Sequence, residues 1–172
     1  QIMKIVDSPI TTIPFLLRAI LNELKNNGNF EKLNDCIETF SHIDSEAELY
    51  EQILNNAEEV FSQVDFKGAL LSIAVSLRGL KESSILDLTK MAPLYWSQIY
   101  SAFSEYLISY NGFVLFCSSQ LKEFVLQRYA ERIKDVRNAI LEVLDEQNLY
   151  EKGEMAYHYW MMHRYSELNG LL

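Results

Sequence analysis

Residues 96–129 read WSQIYSAFSEYLISYNGFVLFCSSQLKEFVLQRY, and the pattern of this stretch indicates the fold. Its first part carries aromatic and aliphatic residues at helical spacing, and so does its last part, which begins at Ser118. Between them, Asn111 and Gly112 form a pair typical of a two-residue β-hairpin turn, flanked by β-branched and aromatic residues. The stretch therefore predicts a helix, a short β-hairpin and a second helix in that order.

This order is the skeleton of a winged-helix domain, which we place at residues 65–145. An apolar run over residues 65–77 predicts its first helix, which should be buried on most sides because it has no polar face. Apolar residues at helical spacing over residues 119–145 predict one long helix after the hairpin.

Helices are also predicted on either side of the winged helix, so the fold class is mainly α. Residues 1–62 are predicted to form a small helical bundle, in which Gly28 ends one helix and a capping box of Ser45 and Glu48 starts another. Residues 146–172 are interpreted as a linker and the first helices of a repeat-like region. Glycine and proline are scarce, with 6 and 3 residues, which favours long helices over turns.

The charge balance argues against several classes of partner. The chain has 15 basic and 24 acidic residues, and a net charge of −9 repels nucleic acid and anionic lipid. No apolar run reaches the roughly 18 residues that a membrane-spanning helix needs, and no signal-peptide pattern is present. Cys36 and Cys117 lack metal-ligand spacing, which favours a reduced, cytoplasmic protein, although the sequence leaves a disulfide between them open.

Motifs that carry catalytic chemistry are absent from the sequence. It contains neither G-x-x-x-x-G-K-[ST] nor G-x-G-x-x-G, so no phosphate-binding loop is expected in this chain. It also lacks G-x-S-x-G and H-E-x-x-H. His158 and His163 are five positions apart and do not share a helix face, so we expect no metal site. The chain by itself is therefore not expected to be an enzyme.

The predicted recognition helix of the winged helix is unsuited to DNA. Residues 93–107 contain no Lys or Arg and one Glu, and the wing, residues 109–117, carries no charge. Phosphate contacts supply most of the affinity of a DNA-binding winged helix, and these elements cannot make them. The helix is instead rich in aromatic residues, and we expect Tyr95, Trp96 and Tyr100 to form a face for a protein partner.

Residues 8–24, SPITTIPFLLRAILNEL, resemble the helical lid that follows the P-loop domain in NACHT-type signalling ATPases of the STAND class. The family motif reads roughly Asn-Pro-Leu-x-Leu, followed by a helix that ends Glu-Glu-Leu; here Ile13 replaces the Asn. The resemblance implies that Pro14 lies near the adenine of ATP or ADP, bound with magnesium by the parent protein. On the residues alone, Pro14 fits a plain helix-starting position equally well.

Residues 94–97 and 111–129 resemble the winged helix of the subgroup that contains nephrocystin-3 and telomerase-associated protein 1. Residues 154–172 are similar to the first helices of the repeat array that follows there. The subgroup has Phe-Ser-His-Asp after the wing, and its His senses the nucleotide phosphates. Residues 116–119 read FCSS, so Ser118 stands at the His position without a charge.

Three hypotheses follow for the function. The first is a non-catalytic regulatory segment of a STAND ATPase, whose partners are the P-loop domain and the repeat array of the same chain. The second is a stand-alone helical adaptor that binds protein partners through its aromatic face. The third, a DNA-binding winged helix, is disfavoured by the missing cations. The chain begins with Gln1, and we expect it to be part of a longer protein, with a short native chain as the alternative.

Overall fold

A computed structural model of the chain describes residues 13–26 and 30–171, and these are mainly α-helical, as predicted. Ten helices occur in that part of the chain: α1 (Pro14–Asn26), α2 (Phe30–Ser41), α3 (Glu46–Val60), α4 (Phe66–Val75), α5 (Glu82–Thr89), α6 (Pro93–Ala102), α7 (Ser119–Arg128), α8 (Ile133–Val143), α9 (Leu149–Met161) and α10 (Tyr165–Leu171). The strands are β1 (Leu80–Lys81), β2 (Leu107–Tyr110) and β3 (Phe113–Phe116), and a 3₁₀ turn, Ala130–Arg132, separates α7 from α8. The predictions for residues 1–12 and for Gly28 lie outside the described residues.

The described residues divide into two compact units, and the first comprises those up to Val60 together with Ala102–Glu105. Pro14 is the first residue of α1, where its missing N–H leaves no hydrogen bond unmade. A shifted form of the capping box starts α3: the amide of Glu48 donates to Ser45 Oγ at 3.2 Å, and its carboxylate accepts from the amide of Asp44 at 3.0 Å. The core uses one apolar face of each helix, formed by Leu16, Ile20, Ile37, Phe40, Leu49, Tyr50, Ile53 and Leu54.

The second unit, residues 61–101 and 106–172, contains the winged helix. Its elements follow the order α4, β1, α5, α6, β2 and β3, and the strands form one antiparallel sheet in the order β1-β3-β2. At the hairpin turn, Asn111 and Gly112 have φ angles of 51° and 82°, the two positive values that a type I′ turn requires. The predicted hairpin is confirmed. Strand β1 escapes sequence prediction because its two residues are too few to show periodicity.

Helix α4 is the centre of the second unit. Every residue of α4 except Lys67 is buried, as the apolar run predicts. Its N-cap is Asp65, whose carboxylate accepts from the amide of Gly68 at 3.1 Å. The same carboxylate accepts hydrogen bonds from both terminal nitrogens of Arg132, at 3.0 to 3.2 Å. The start of the buried helix is therefore held by a side chain from the 3₁₀ turn.

The single helix predicted over residues 119–145 is wrong, because the chain turns at Tyr129, which has φ −112° and ψ 29°. A straight helix of that length would extend about 40 Å, whereas α4 spans only about 15 Å. The turn allows both α7 and α8 to pack on α4 and brings Arg132 to Asp65. The helix predicted over residues 93–107 is also too long, since α6 ends at Ala102 and β2 begins at Leu107.

We expect Gly79→Ala to destabilise the protein more than Gly112→Ala. Both glycines have φ of 82°, so alanine at either position costs about 1 to 2 kcal/mol of backbone strain. A Cβ at Gly79 would in addition lie 2.2 Å from the carbonyl oxygen of Val114, whereas a Cβ at Gly112 meets nothing within 4 Å. Urea unfolding should therefore show an extra loss of about 1 to 3 kcal/mol for Gly79→Ala. Equal losses would contradict the close approach of β1 to β3.

Candidate functional site

In the first unit, α1 carries a buried carboxyl group. Glu23 is 8% exposed, and burial raises its pKa to about 7, although a hydrogen bond with the side chain of Asn56 acts to lower it. Asn56 is itself held by Gln52, whose Nε2 donates to Asn56 Oδ1 at 2.8 Å. The exposed Pro14 is at the other end of the same helix. Glu23 thus titrates near neutral pH inside the part of the chain that resembles a lid.

Ser118 begins the helix that follows the wing, and its hydroxyl is engaged there. Its Oγ accepts from the amide of Leu121 at 3.2 Å and lies 3.2 Å from Gln120 Oε1, to which it donates. These contacts make Ser118 the N-cap of α7, and its side chain is 9% exposed. The position at a helix N-terminus fits the resemblance, but the hydroxyl is already used by the helix itself.

The three aromatic residues expected to meet a partner lie differently in α6. Tyr95 is 37% exposed and Tyr100 is half-buried, whereas Trp96 is 2% exposed and belongs to the core. The Trp96 and Tyr100 rings lie 6.0 Å apart between centroids, so the half-buried ring extends the buried one toward the surface. Of these three aromatic residues, only Tyr95 and part of Tyr100 therefore present surface, next to Leu94, which is 67% exposed.

The wing also exposes apolar and aromatic surface. Ile108 and Tyr110 of β2 are 44% and 68% exposed, and no residue from Leu107 to Phe116 is charged. The nearby cation Lys81 is paired, with its Nζ 2.6 Å from Glu151 Oε1. Partial burial raises the pKa of Glu151, but the hydrogen bonds from Lys81 and from the amide of Asp145 outweigh it and keep that pKa low. The wing therefore lacks the cations that phosphate contacts require.

A cavity of about 650 Å³ lies beside the wing. Its volume falls in the range typical of ligand-sized clefts. Tyr110 and Tyr150, 68% and 65% exposed, lie at its edges. The other lining residues come from the residues before β1, from β1, α5, the hairpin turn, β3, the residue after α8, and α9, and they include Arg78, Leu80, Phe113, Leu115, Leu144 and Glu154. An apolar floor with an aromatic edge suits burial of apolar groups more than catalysis.

The last two helices belong to the same unit as the winged helix. Two partly exposed pairs join them to it: Lys81 with Glu151, and Arg164 Nη1 with Asn138 Oδ1 at 3.3 Å. Sequence reasoning missed the buried contact beneath them, which involves His158, a residue with 0% exposure. The useful signal was the spacing of Glu154 and His158, four residues apart on one helix face, rather than the spacing of the two histidines.

Within the described ranges, no group of three or more His, Cys, Asp or Glu side chains is placed to hold a metal ion. Over the same residues, no helix combines the length and apolarity that crossing a bilayer demands. The side chain of Cys117 is exposed. The side chain of Cys36 lies outside the described part of the chain.

Comparison with known proteins gives one informative similarity. No family model matches the chain, and no solved structure matches it. A TPR repeat-containing protein of Dictyostelium discoideum is 28% identical over 136 residues, which cover 75% of this chain. The chain spans only 8% of the length of that relative.

We expect Ser118→Ala to lower the free energy of unfolding by about 1 kcal/mol, because α7 loses its N-cap. Ser118→Asp should restore most of that loss, since Asp is an equally good cap. Ser119→Ala is the matched control, because its exposed hydroxyl contacts only Gln120 at 3.1 Å. Urea denaturation checks the order. Equal losses for the two alanine variants would contradict the capping role.

We expect Glu23→Gln to change how stability depends on pH. The pKa of Glu23 is raised from 4.5 to about 7 by burial, so between those values the folded chain holds a proton that the unfolded chain releases. The free energy of unfolding therefore falls as pH rises through this window, by roughly 3 kcal/mol at most. Glu23→Gln should match the parent near pH 4 and exceed it by roughly 2 to 3 kcal/mol at pH 8.

The measurement is urea unfolding followed by circular dichroism from pH 4 to pH 8. Glu59→Gln is the control, because it removes the same charge from the exposed face of α3. A difference between Glu23→Gln and the parent protein that stays constant with pH would contradict the raised pKa.

Proposed function

We propose that this chain is a non-catalytic regulatory segment of a STAND-class ATPase, which couples the nucleotide state of a P-loop domain to a C-terminal array of helical repeats. The observation that carries the proposal is structural: a winged helix is followed directly by a helix pair that packs on it within one compact unit. A module that passes a change of position to a repeat array requires such a connection.

The similarity to the TPR repeat-containing protein supports the coarser part of this proposal, a helical module that contacts other protein. The matched region is a small part of that relative, as expected for one module of a long multidomain protein. The lid resemblance adds Pro14 as the residue near the adenine and the winged helix as the element that docks on the P-loop domain. The partners in this proposal are therefore the P-loop domain and the repeat array of the same polypeptide.

The mechanism would be a population shift. ATP and ADP would favour different docked positions of the winged helix, and the helices after it would follow. Ser118 carries no charge and its hydroxyl caps α7, so direct sensing of phosphate at this position would be weaker than with a His. The proposal therefore assigns nucleotide recognition mainly to the P-loop domain and to contacts of the lid.

A helical adaptor that acts without nucleotide is the second candidate. The cavity beside the wing favours it, because Tyr110 and Tyr150 expose aromatic surface at an apolar cleft. Mutations that test this candidate should replace Tyr110, Tyr150 and Tyr95. Trp96→Ala would report on the core instead, because Trp96 is buried.

The full-length transcript distinguishes the two candidates. A G-x-x-x-x-G-K-[ST] motif in the roughly 300 codons upstream of Gln1, a typical length for one or two domains, would support the ATPase segment. A start codon close to Gln1, or an upstream region without such a motif, would overturn it and favour the adaptor.

In the full-length protein, we expect exchange of ATP for ADP to change the labelling rate of the Cys117 thiol roughly 5-fold or more. Cys117 is exposed and adjoins the cap of α7, so its reactivity reports on docking at that helix. Maleimide labelling with mass spectrometry measures the rate, and Cys117→Ser is the control that assigns the signal. Equal rates with both nucleotides, once binding of each is verified, would contradict the coupling.

The 172-residue chain alone should hydrolyse no ATP.

A further inference from the structure

The C-terminal end of α4 depends on side chains from three later helices. The chain leaves the helix at Ser76, which is extended with φ −75° and ψ 146°. The peptide groups of the last turn therefore need partners from elsewhere. Arg137 Nη1 donates to the carbonyl of Val75 at 3.3 Å, and Lys122 Nζ donates to the carbonyl of Ser76 at 3.4 Å. The amide of Leu77 donates to the carboxylate of Glu154 at 2.7 Å.

The guanidinium of Arg137 also contacts α9. Its Nη1 lies 2.8 Å from Nδ1 of His158. A guanidinium has only donors, so Nδ1 must be the acceptor and the ring proton is on Nε2. Nε2 lies 3.1 Å from Oε1 of Glu154 but is not aligned for a hydrogen bond, so this contact is electrostatic. The guanidinium also lies over the Tyr157 ring, 5.2 Å from its centroid.

Burial makes these contacts costly to break. Arg137, His158 and Glu154 are 5%, 0% and 7% exposed. A charge in such surroundings is tolerated only when it is paired and hydrogen-bonded. If α9 moved away, Arg137 would lose its acceptor on His158, and the amide of Leu77 would lose its carboxylate. The two outer pairs, Lys81 with Glu151 and Arg164 with Asn138, are partly exposed and hold less strongly.

We propose that Arg137, His158 and Glu154 form a buried lock that fixes the α9–α10 pair to the end of α4, so that the winged helix and these helices move as one body. The lock is a property of the chain itself. Its regulatory meaning rests on the proposed function, because a winged helix that changed position would then carry the start of the repeat array with it.

The test is hydrogen–deuterium exchange on the 172-residue chain without nucleotide, so its outcome does not depend on the ATPase proposal. In the parent chain, amides of α9 should be as well protected as those of α8, because the two helices open together. Arg137→Met keeps an unbranched apolar stem and removes the guanidinium. It should speed exchange in residues 149–161 about 100-fold, and far less in α4.

Two controls bracket this effect. Lys134→Met removes a charge from the exposed side of the same helix and should leave exchange in α9 unchanged. Lys81→Met breaks the partly exposed tie to Glu151 and should speed that exchange only a few-fold. The lock is overturned if α9 already exchanges much faster than α8 in the parent chain. It is equally overturned if Arg137→Met and Lys81→Met have the same effect.

A milder variant covers the case in which Arg137→Met does not fold. Glu154→Gln keeps an acceptor for the amide of Leu77 but removes the charge opposite His158. The two tryptophans report on the two parts separately: Trp96 lies in α6 and Trp160 in α9. Trp96 is kept because it is buried: the Trp160→Phe chain, changed at a residue that is 57% exposed, reports on Trp96 alone, and the difference from the chain with both tryptophans reports on Trp160. The two transitions should coincide in this background, and Glu154→Gln should make the Trp160 transition come first. Coincident transitions in Glu154→Gln, or separate ones without it, would overturn the lock.

Discussion

The second unit depends on the need of one buried helix to satisfy the peptide groups at its ends. α4 is buried at every residue except Lys67, so water cannot serve those groups. Asp65 caps its start and is itself held by Arg132, and Lys122, Arg137 and Glu154 bond the peptide groups at its end. The partners belong to four separate elements. Because each partner must reach an end of α4, the hydrogen bonds at the ends of this helix fix the positions of α7, the 3₁₀ turn, α8 and α9.

This constraint explains why the helix after the wing is divided. Along the chain, Lys122 contacts the end of α4, Arg132 its start and Arg137 its end again, and an uninterrupted straight helix cannot reverse direction in this way. The turn at Tyr129 brings Arg132 to one end, and α8 then brings Arg137 to the other. Arg137 also contacts His158, which lies beside Glu154 in α9. The unit therefore includes the helix pair that follows the winged helix.

The surface of the unit favours contacts with protein over contacts with nucleic acid. The wing has no charge, and its exposed residues Ile108 and Tyr110 are apolar or aromatic. The net charge of the chain is −9, so the rest of the chain does not supply the positive charge that the wing lacks for binding phosphate. The similarity to a TPR repeat-containing protein agrees with a helical module that contacts other proteins.

The features that depend on neighbouring residues could be predicted from the sequence. Helical periodicity gave the mainly α class and the buried character of α4, and Asn111-Gly112 located the hairpin because its turn needs two positive φ angles. The cap at Ser118 could not be separated from a ligand role, because only coordinates show that the hydroxyl is engaged. Tertiary structure alone decided the two-residue strand β1, the break at Tyr129, the burial of Trp96 and the lock formed by Arg137, His158 and Glu154. Each of these features depends on a contact with residues far along the chain, and the local pattern of polar and apolar residues does not indicate such contacts.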